Sequence, residues 1–186
     1  MQLINNGYVV QDLNYLIFDQ DSYNGVQKFK SWPLRKYNDN ESLMLEDFAW
    51  KKWFAYHGCF ETVPDVKFIK KYINHCNHLG IEIRLLQIES PTKYMETSNT
   101  LSIKKVLGFD CVAGIELSYL CMPNQDLKKF FPISSLKVNT NGLFDRIEDL
   151  YEFLSYYHKL VNDGINLENW GDPVPIKISE VYFEDK

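Results

Sequence analysis

Two carboxylates at the end of a predicted strand could do metal chemistry. Residues 13–19 (LNYLIFD) are mostly apolar, which predicts a strand, and Asp19 and Asp21 lie at its end. Carboxylate oxygens are ligands that Mg²⁺ accepts. Two acids after a strand are also simply a strand end that reaches water, and no further acids lie at a matching element. A metal-dependent hydrolase that uses Asp19, Asp21 and a histidine therefore stays an alternative function.

Imidazole and thiol groups occur together at two places, where they could suit zinc. These are His57 with Cys59, and His75 with Cys76 and His78. On the helix predicted for residues 64–79, Cys76 falls in the apolar stripe, whereas His75 and His78 turn to the polar flank. The three side chains cannot all face one ion. Cys76 is therefore predicted to be a small core residue, and neither a metal nor a cofactor is expected.

A nucleophile with a nearby base is the other chemistry that these residues could supply. Cys59 is too close to His57 in sequence to suggest a catalytic triad, and Cys111 and Cys121 lie in apolar runs that predict burial. His158 falls on an apolar helix face and is predicted to be a core histidine. The sequence has no G-x-S-x-G, H-E-x-x-H, P-loop or G-x-G-x-x-G pattern. No enzyme is predicted.

Tryptophans near charged residues suggest a binding surface instead. Trp50, Trp53 and Phe54 lie within five residues, beside two lysines. Trp170 is flanked by Glu168 and Asp172 in the stretch NLENWGDP. Exposed tryptophans are favoured at the centres of protein interfaces, and one among acids would suit a basic partner. The alternative is that each tryptophan packs at the edge of the domain.

The charge is uneven along the chain, and its acidic end is a candidate contact surface. Residues 141–186 carry 10 acids and 4 bases, whereas residues 66–140 carry 6 acids and 10 bases. The protein has only three arginines and a net charge of −5, so a nucleic-acid binder is not expected. The predicted contact residues are Asp145, Glu148, Asp149, Glu152, Asp163, Glu168, Trp170 and Asp172, with Trp50 and Trp53 as a second region. A solvated helix face followed by a frayed tail is the alternative interpretation of the same acids.

The elements that must position these side chains are predicted from periodicity and from turn residues. Helices are expected at residues 42–57, 64–79 and 145–163, with Gly58, Gly80 and Gly164 as stops. Asp145 and Glu148 have capping-box spacing, and the apolar face of the last helix contains Leu150, Leu154 and His158. Strands are expected at residues 13–19, 26–32, 81–88, 103–109, 115–121 and 176–183. These elements predict one α+β domain over residues 1–186, with a mostly antiparallel sheet and about three main helices.

The sequence also predicts a cytoplasmic location. The N-terminus has no basic segment followed by an apolar run, so it does not read as a signal peptide. No stretch approaches the roughly 18 to 20 apolar residues that span a bilayer, so no membrane contact is expected. The four cysteines are then expected to be reduced thiols.

Two stretches resemble a known family. Residues 107–120 (LGFDCVAGIELSYL) are similar to the LGYDVAD…S-L-L-S core of immunity proteins from bacterial polymorphic toxin and contact-dependent growth inhibition systems. Residues 138–144 (VNTNGLF) resemble the LNENGLF segment of the same proteins, which an acidic helix follows there as it does here. Cys111 and Ala113 depart from the pattern.

The resemblance implies a small cytoplasmic protein without catalysis of its own. It would bind a cognate toxin domain, encoded by an adjacent gene, and neutralise it as a stoichiometric complex. Such toxins are often nucleases, whose clefts are basic to receive phosphate. An acidic, aromatic-rich protein suits such a partner. The alternatives are the metal-dependent hydrolase above and a peptide-binding adaptor that uses Trp50 to Phe54.

Overall fold

The computed structural model describes residues 2–13, 62–63, 65–93, 97, 101–113, 117–118, 138–165 and 173–184. In chain order the elements are β1 (Ile4–Asp12), α1 (Val66–His78), β2 (Ile83–Ser90), β3 (Ser102–Ala113), β4 (Leu117–Ser118), α2 (Ile147–Asn162) and β5 (Val174–Tyr182). The predicted α+β class with an antiparallel sheet is confirmed. The described residues hold two helices instead of three, because the third predicted helix, residues 42–57, lies outside them. The predicted strand at residues 26–32 also lies outside them, as do residues 14–19 of the strand predicted at 13–19.

The sheet has the order β1-β2-β5-β3-β4, and each pair of neighbours is antiparallel. β5 therefore lies between β2 and β3, with Ile178 opposite both Ile88 and Gly108. The sequence analysis did not predict β1. Its Asn-Asn-Gly start looks like a turn, but Gly7 has a φ of 106° and takes the strand through an irregularity between Asn5 and Tyr8.

Helix α1 is confirmed, but it begins two residues later and ends one residue earlier than the predicted 64–79. The carboxylate of Asp65 accepts hydrogen bonds from the backbone N–H groups of Lys67 and Phe68, at 3.1 and 3.0 Å. Gly80 follows the helix with a φ of 69°, which a glycine adopts without strain. The buried face contains Phe68, Ile69, Tyr72 and Cys76. It packs with Tyr8 and Val10 of β1 and with Leu85 of β2.

Helix α2 is confirmed, but its predicted N-terminal cap is wrong. The N-cap residue is Arg146, and no side chain caps the helix there. Asp145 lies one residue earlier, and its Oδ1 instead accepts a hydrogen bond from Asn139 Nδ2 at 2.9 Å. The helix ends as predicted, before Gly164, which has a φ of 80°.

The buried face of α2 differs from the predicted one. It consists of Leu150, Phe153, Leu154, Tyr157 and Leu160, which pack against Phe109 and Cys111 of β3. His158 is exposed, so its prediction as a core histidine is wrong. Phe153 and Leu160 are buried too, so the buried face is centred further from His158 than predicted. His158 lies at the edge of that face.

Both helices cover the same face of the sheet. Alternate residues of a strand point to opposite faces. Val181 of β5 packs in the cluster around α1. The other odd-numbered residues of β5, as far as Pro175, therefore lie on the same face as Val181. Pro175 is paired with Cys111 of β3, and Cys111 packs against α2. The opposite face is buried as well, with Leu86, Ile88, Ile176 and Ile178 among its side chains. Neither helix in the described part of the chain is long and apolar enough to cross a membrane.

Candidate protein-binding site

The two stretches that resemble immunity proteins lie in contact. Phe109 and Phe144 form an antiparallel bridge, in which each backbone N–H donates to the other carbonyl oxygen at 2.8 and 2.9 Å. Gly108 lies against this bridge with a φ of 145°. A Cβ atom there would lie 2.7 Å from both Leu143 Cβ and the carbonyl oxygen of Phe144. Only glycine lets β3 and residues 143–144 approach so closely.

Asn139 ties this loop to the start of α2. Its Oδ1 accepts from the backbone N–H groups of Asn141 and Leu143, at 2.8 and 3.3 Å. Its Nδ2 donates to the carbonyl oxygen of Leu107 and to Asp145 Oδ1, both at 2.9 Å. The sequence analysis did not single out Asn139. The signal was present, because asparagine before an Asn-Gly turn often bonds to the backbone two residues on.

The predicted acidic residues of α2 are partly brought together. Glu148 and Glu152 are one helical turn apart and both exposed. Asp145 and Asp163 are exposed at the two ends of the helix, and Asp149 is half-buried. The remaining predicted contact residues lie outside the described residues, namely Glu168, Trp170, Asp172, Trp50 and Trp53.

The basic residues around α2 compensate part of this charge. Arg146 Nε lies 3.3 Å from Glu148 Oε2, with both side chains about two-thirds exposed (67% and 66%). An exposed pair of this kind is weak and leaves the carboxylate accessible. Lys159 is exposed on the same side of the helix. Residues 145–163 carry five acids and two bases, so the segment remains acidic.

The helix dipole explains the position of only some of these acids. Glu148 and Asp149 are in the first turn, where negative charge interacts favourably with the helix dipole. Asp163 is the C-cap residue, at the negative end, where an acid is unfavourable. Glu152, in the middle of the exposed face, gains nothing from the dipole. The helix dipole therefore does not account for the acids at Glu152 and Asp163.

A cleft of about 700 Å³ lies between α2 and the sheet. Its helical wall consists of Tyr151, Leu154, Ser155 and His158. Its other wall follows the end of β2 and the start of β5, with the residues Pro91, Thr92, Pro173, Val174 and Pro175. The sequence analysis did not predict this cleft, because it is formed by segments that are distant in the chain.

Polar side chains continue along the sheet face beyond the cleft. Lys177 is two residues beyond Pro175 in β5, and its Nζ lies 2.7 Å from Glu89 Oε2 in the opposing strand. Gln87 and Ser179 form the next cross-strand pair, and both are buried. Gln87 Oε1 and Ser179 Oγ have no hydrogen-bond partner among the described residues.

The pKa shifts in the described part of the chain lie at the far edge of the sheet, on β1 and β2. Burial raises the pKa of the Tyr8 hydroxyl, although Asn5 Nδ2 donates to its oxygen at 2.9 Å. Burial also lowers the pKa of Arg84, whose Nε and Nη2 donate to Gln11 Oε1 at 3.0 and 2.7 Å. Arg84 thus holds β1 to β2.

Among the described residues, no group of three His, Cys, Asp or Glu side chains could hold a metal ion. Cys76 is buried, as the sequence predicts, while His75 is half-buried and His78 is exposed. Asp19 and Asp21 lie outside the described residues, as do His57 and Cys59.

Comparison of the chain with protein-family models, with curated proteins and with solved structures finds no match.

Proposed function

We propose that this chain is an immunity protein, which binds a cognate toxin domain in the cytoplasm and neutralises it in a stoichiometric complex. The observation that carries the proposal is the contact between the two stretches that resemble such proteins. Residues 107–110 and 139–144 are joined through the Phe109–Phe144 bridge and through Asn139, although about thirty residues separate them in the chain. Short likenesses that pack together as one unit support a shared structural element better than two isolated motifs do.

The same unit leads directly into the proposed contact surface. Asn139 binds Asp145, and α2 begins two residues later with Glu148 and Glu152 facing outward. An acidic surface attracts a basic partner and raises the rate of association. A toxin domain that binds nucleic acid has a basic cleft of the kind that such a surface would meet.

The direct test is association with the product of the adjacent upstream gene. The two purified proteins are expected to form a one-to-one complex at micromolar concentration in low salt, measured by gel filtration with light scattering. The complex should also abolish the activity of the toxin domain. If no complex forms under these conditions, the proposed function is wrong.

A charge reversal tests the contact surface. Glu152→Lys is expected to lower the association rate several-fold at low ionic strength, with a smaller effect at high salt, because long-range steering is screened. Glu82→Lys is the matched control, since Glu82 is an exposed acid that lies before β2 and away from α2. Equal effects of the two variants in stopped-flow measurements would show that only net charge matters and would remove α2 from the interface.

A further inference from the structure

The described residues contain two Asn-Gly sequences, which differ in how their reactive groups are held. Asn6–Gly7 lies in β1, and Asn141–Gly142 lies in the turn before α2. A third, Asn24–Gly25, lies outside the described residues. Asparagine is a thermolabile residue type, and a glycine after it has no side chain to hinder the approach of its backbone nitrogen. Both sequences could therefore lose the asparagine amide nitrogen as ammonia.

This loss needs a carboxamide that can turn and a backbone nitrogen that can give up its proton. The deprotonated nitrogen of the glycine attacks Cγ of the asparagine, so that an N–Cγ bond forms and the Cγ–Nδ2 bond breaks. Nδ2 leaves as ammonia with the proton that the glycine nitrogen lost. Water then opens the resulting cyclic imide. Hydrolysis of its Cγ–N bond gives aspartate, and hydrolysis of its backbone C–N bond gives isoaspartate.

In Asn6–Gly7 both reacting groups are held. Asn6 is fully buried, and its Nδ2 donates to Ser90 Oγ and to the carbonyl oxygen of Thr92, at 2.7 and 2.9 Å. The backbone N–H of Gly7 donates to Asn5 Oδ1 at 2.8 Å. This site can therefore react only after β1 is released from the sheet.

In Asn141–Gly142 the backbone nitrogen is held, but the carboxamide is not. Asn141 is half-buried, and its side chain makes no hydrogen bond within the described part of the chain. The backbone N–H of Gly142 donates to the carbonyl oxygen of Asn139 at 2.8 Å. The proton cannot leave while this bond is intact, so the reaction needs the turn to open locally.

The side chain of Asn139 helps to keep this turn closed. Its Oδ1 accepts from the backbone N–H groups of Asn141 and Leu143, on both sides of the glycine, at 2.8 and 3.3 Å. Its Nδ2 donates to the carbonyl oxygen of Leu107 at 2.9 Å and so holds the turn against β3. Each of these bonds has to break before the turn opens fully, and the reaction rate follows the fraction of time that the turn is open.

We propose that Asn141 is a site of spontaneous deamidation, and that the side chain of Asn139 limits its rate. Aspartate adds a negative charge at position 141, and isoaspartate also adds one carbon atom to the main chain there. Residues 143–144 lie close against Gly108, so the longer main chain would strain the Phe109–Phe144 bridge. The inference does not depend on the proposed function, since it concerns the chemistry of this chain alone.

Peptide mapping by mass spectrometry tests the site. The purified full chain is incubated in mildly alkaline buffer, and the deamidated fraction at Asn6 and at Asn141 is followed with time. The same rates in urea give the reactivity of each sequence in the unfolded chain, by which the rates of the folded protein are divided. Asn141 is expected to be at least several-fold less protected by folding than Asn6. Equal protection of the two asparagines, or greater protection of Asn141, would overturn the proposal.

Two variants test the role of Asn139. Asn139→Ala is expected to raise the rate at Asn141 several-fold and to leave the rate at Asn6 unchanged, because only the turn is loosened. Asn74→Ala makes the same change at an exposed position of α1 and should alter neither rate. An unchanged rate at Asn141 in Asn139→Ala would show that Asn139 does not limit the reaction. An equal rise at both asparagines would show that Asn141 reacts only through unfolding of the whole chain, and would likewise refute local control by Asn139.

Discussion

At the scale of single residues, Gly108 is a position where an added side chain would be strongly unfavourable. Gly108→Ala is expected to lower the free energy of unfolding by about 3 kcal/mol, because a positive φ and two contacts at 2.7 Å act together. Gly80→Ala is the control, since its φ of 69° is also positive but no atom of the described residues lies within 4 Å of the added Cβ. That variant should lose only about 1 kcal/mol. Similar losses in urea denaturation would mean that residues 143–144 do not press against β3 in solution.

Two buried serines differ in whether their hydroxyl groups are satisfied. Ser90 Oγ accepts from Asn6 Nδ2 at 2.7 Å and donates to the carbonyl oxygen of Thr92 at 2.6 Å, whereas Ser179 Oγ has no partner in the part of the chain that the structure describes. Ser90→Ala is expected to lower the free energy of unfolding by about 1 to 2 kcal/mol. Ser179→Ala should leave it unchanged or raise it by up to about 1 kcal/mol, because an unsatisfied hydroxyl is removed. A loss for Ser179→Ala as large as that for Ser90→Ala would reveal a bound water at this hydroxyl.

Individual residues were predictable where one local rule decided their role. Cys76 is buried as the helical stripe predicts, whereas Asp65, which falls inside the helix predicted at residues 64–79, is the N-cap residue of α1. Asp145 satisfies the spacing of a capping box, but its carboxylate accepts a hydrogen bond from Asn139 and does not cap the helix. That bond depends on a loop whose path is set by β3, so spacing alone could not reveal it.

At the scale of elements, the orientation of α2 decides which of its residues stabilise the fold. Leu160→Ala is expected to lower the free energy of unfolding by about 2 to 4 kcal/mol, because Leu160 is 8% exposed within the cluster on β3. His158→Ala should change it by no more than about 0.5 kcal/mol, because His158 is exposed. A large loss for His158→Ala would restore the sequence-based orientation, in which His158 belongs to the core.

The existence of an element was easier to predict than its face or its length. Both described helices have periodic apolar residues and a glycine after their last turn, so their ends were predicted to within two or three residues. The predicted strand at residues 103–109 continues to Ala113 because β5 pairs with it as far as Val112. Local sequence cannot report how far a distant partner extends. The β1 strand was missed because an Asn-Asn-Gly start is locally typical of a turn.

At the scale of the whole molecule, the central position of β5 predicts which part of the sheet unfolds last. Leu86 of β2 and Ile178 of β5 lie on neighbouring interior strands and are fully buried, whereas Ile103 and Val106 of β3 are 46% and 43% exposed. Two irregularities interrupt β3 near those two residues. The amide hydrogens of Leu86 and Ile178 are expected to exchange at least about a hundredfold more slowly than those of residues 103–106. Comparable rates by NMR would mean that the sheet does not open from this side.

The strand order itself could not be predicted from the sequence. β5 pairs with segments that lie roughly sixty to ninety residues earlier in the chain, and no local pattern records that choice. A glycine and a strand follow α1 directly, and so short a connection favours packing of the helix on the sheet that the strand joins. The cluster of α1 with Leu85 and Val181 confirms this packing. The acidic side of α2 was predicted, whereas the cleft beside α2 could not be, because it depends on β2 and β5 being neighbours.

The place of β5 between β2 and β3 also bears on how the protein is made. Until the ribosome has translated β5, which begins at Val174, β2 and β3 lack the strand that lies between them. The sheet therefore cannot form as a whole. Pairings between distant segments form slowly, because a long loop must be closed first. A premature stop before this strand would therefore yield chains in which the sheet cannot form as a whole. Under the proposed function, in which the protein binds a toxin one-to-one, only completed copies would count.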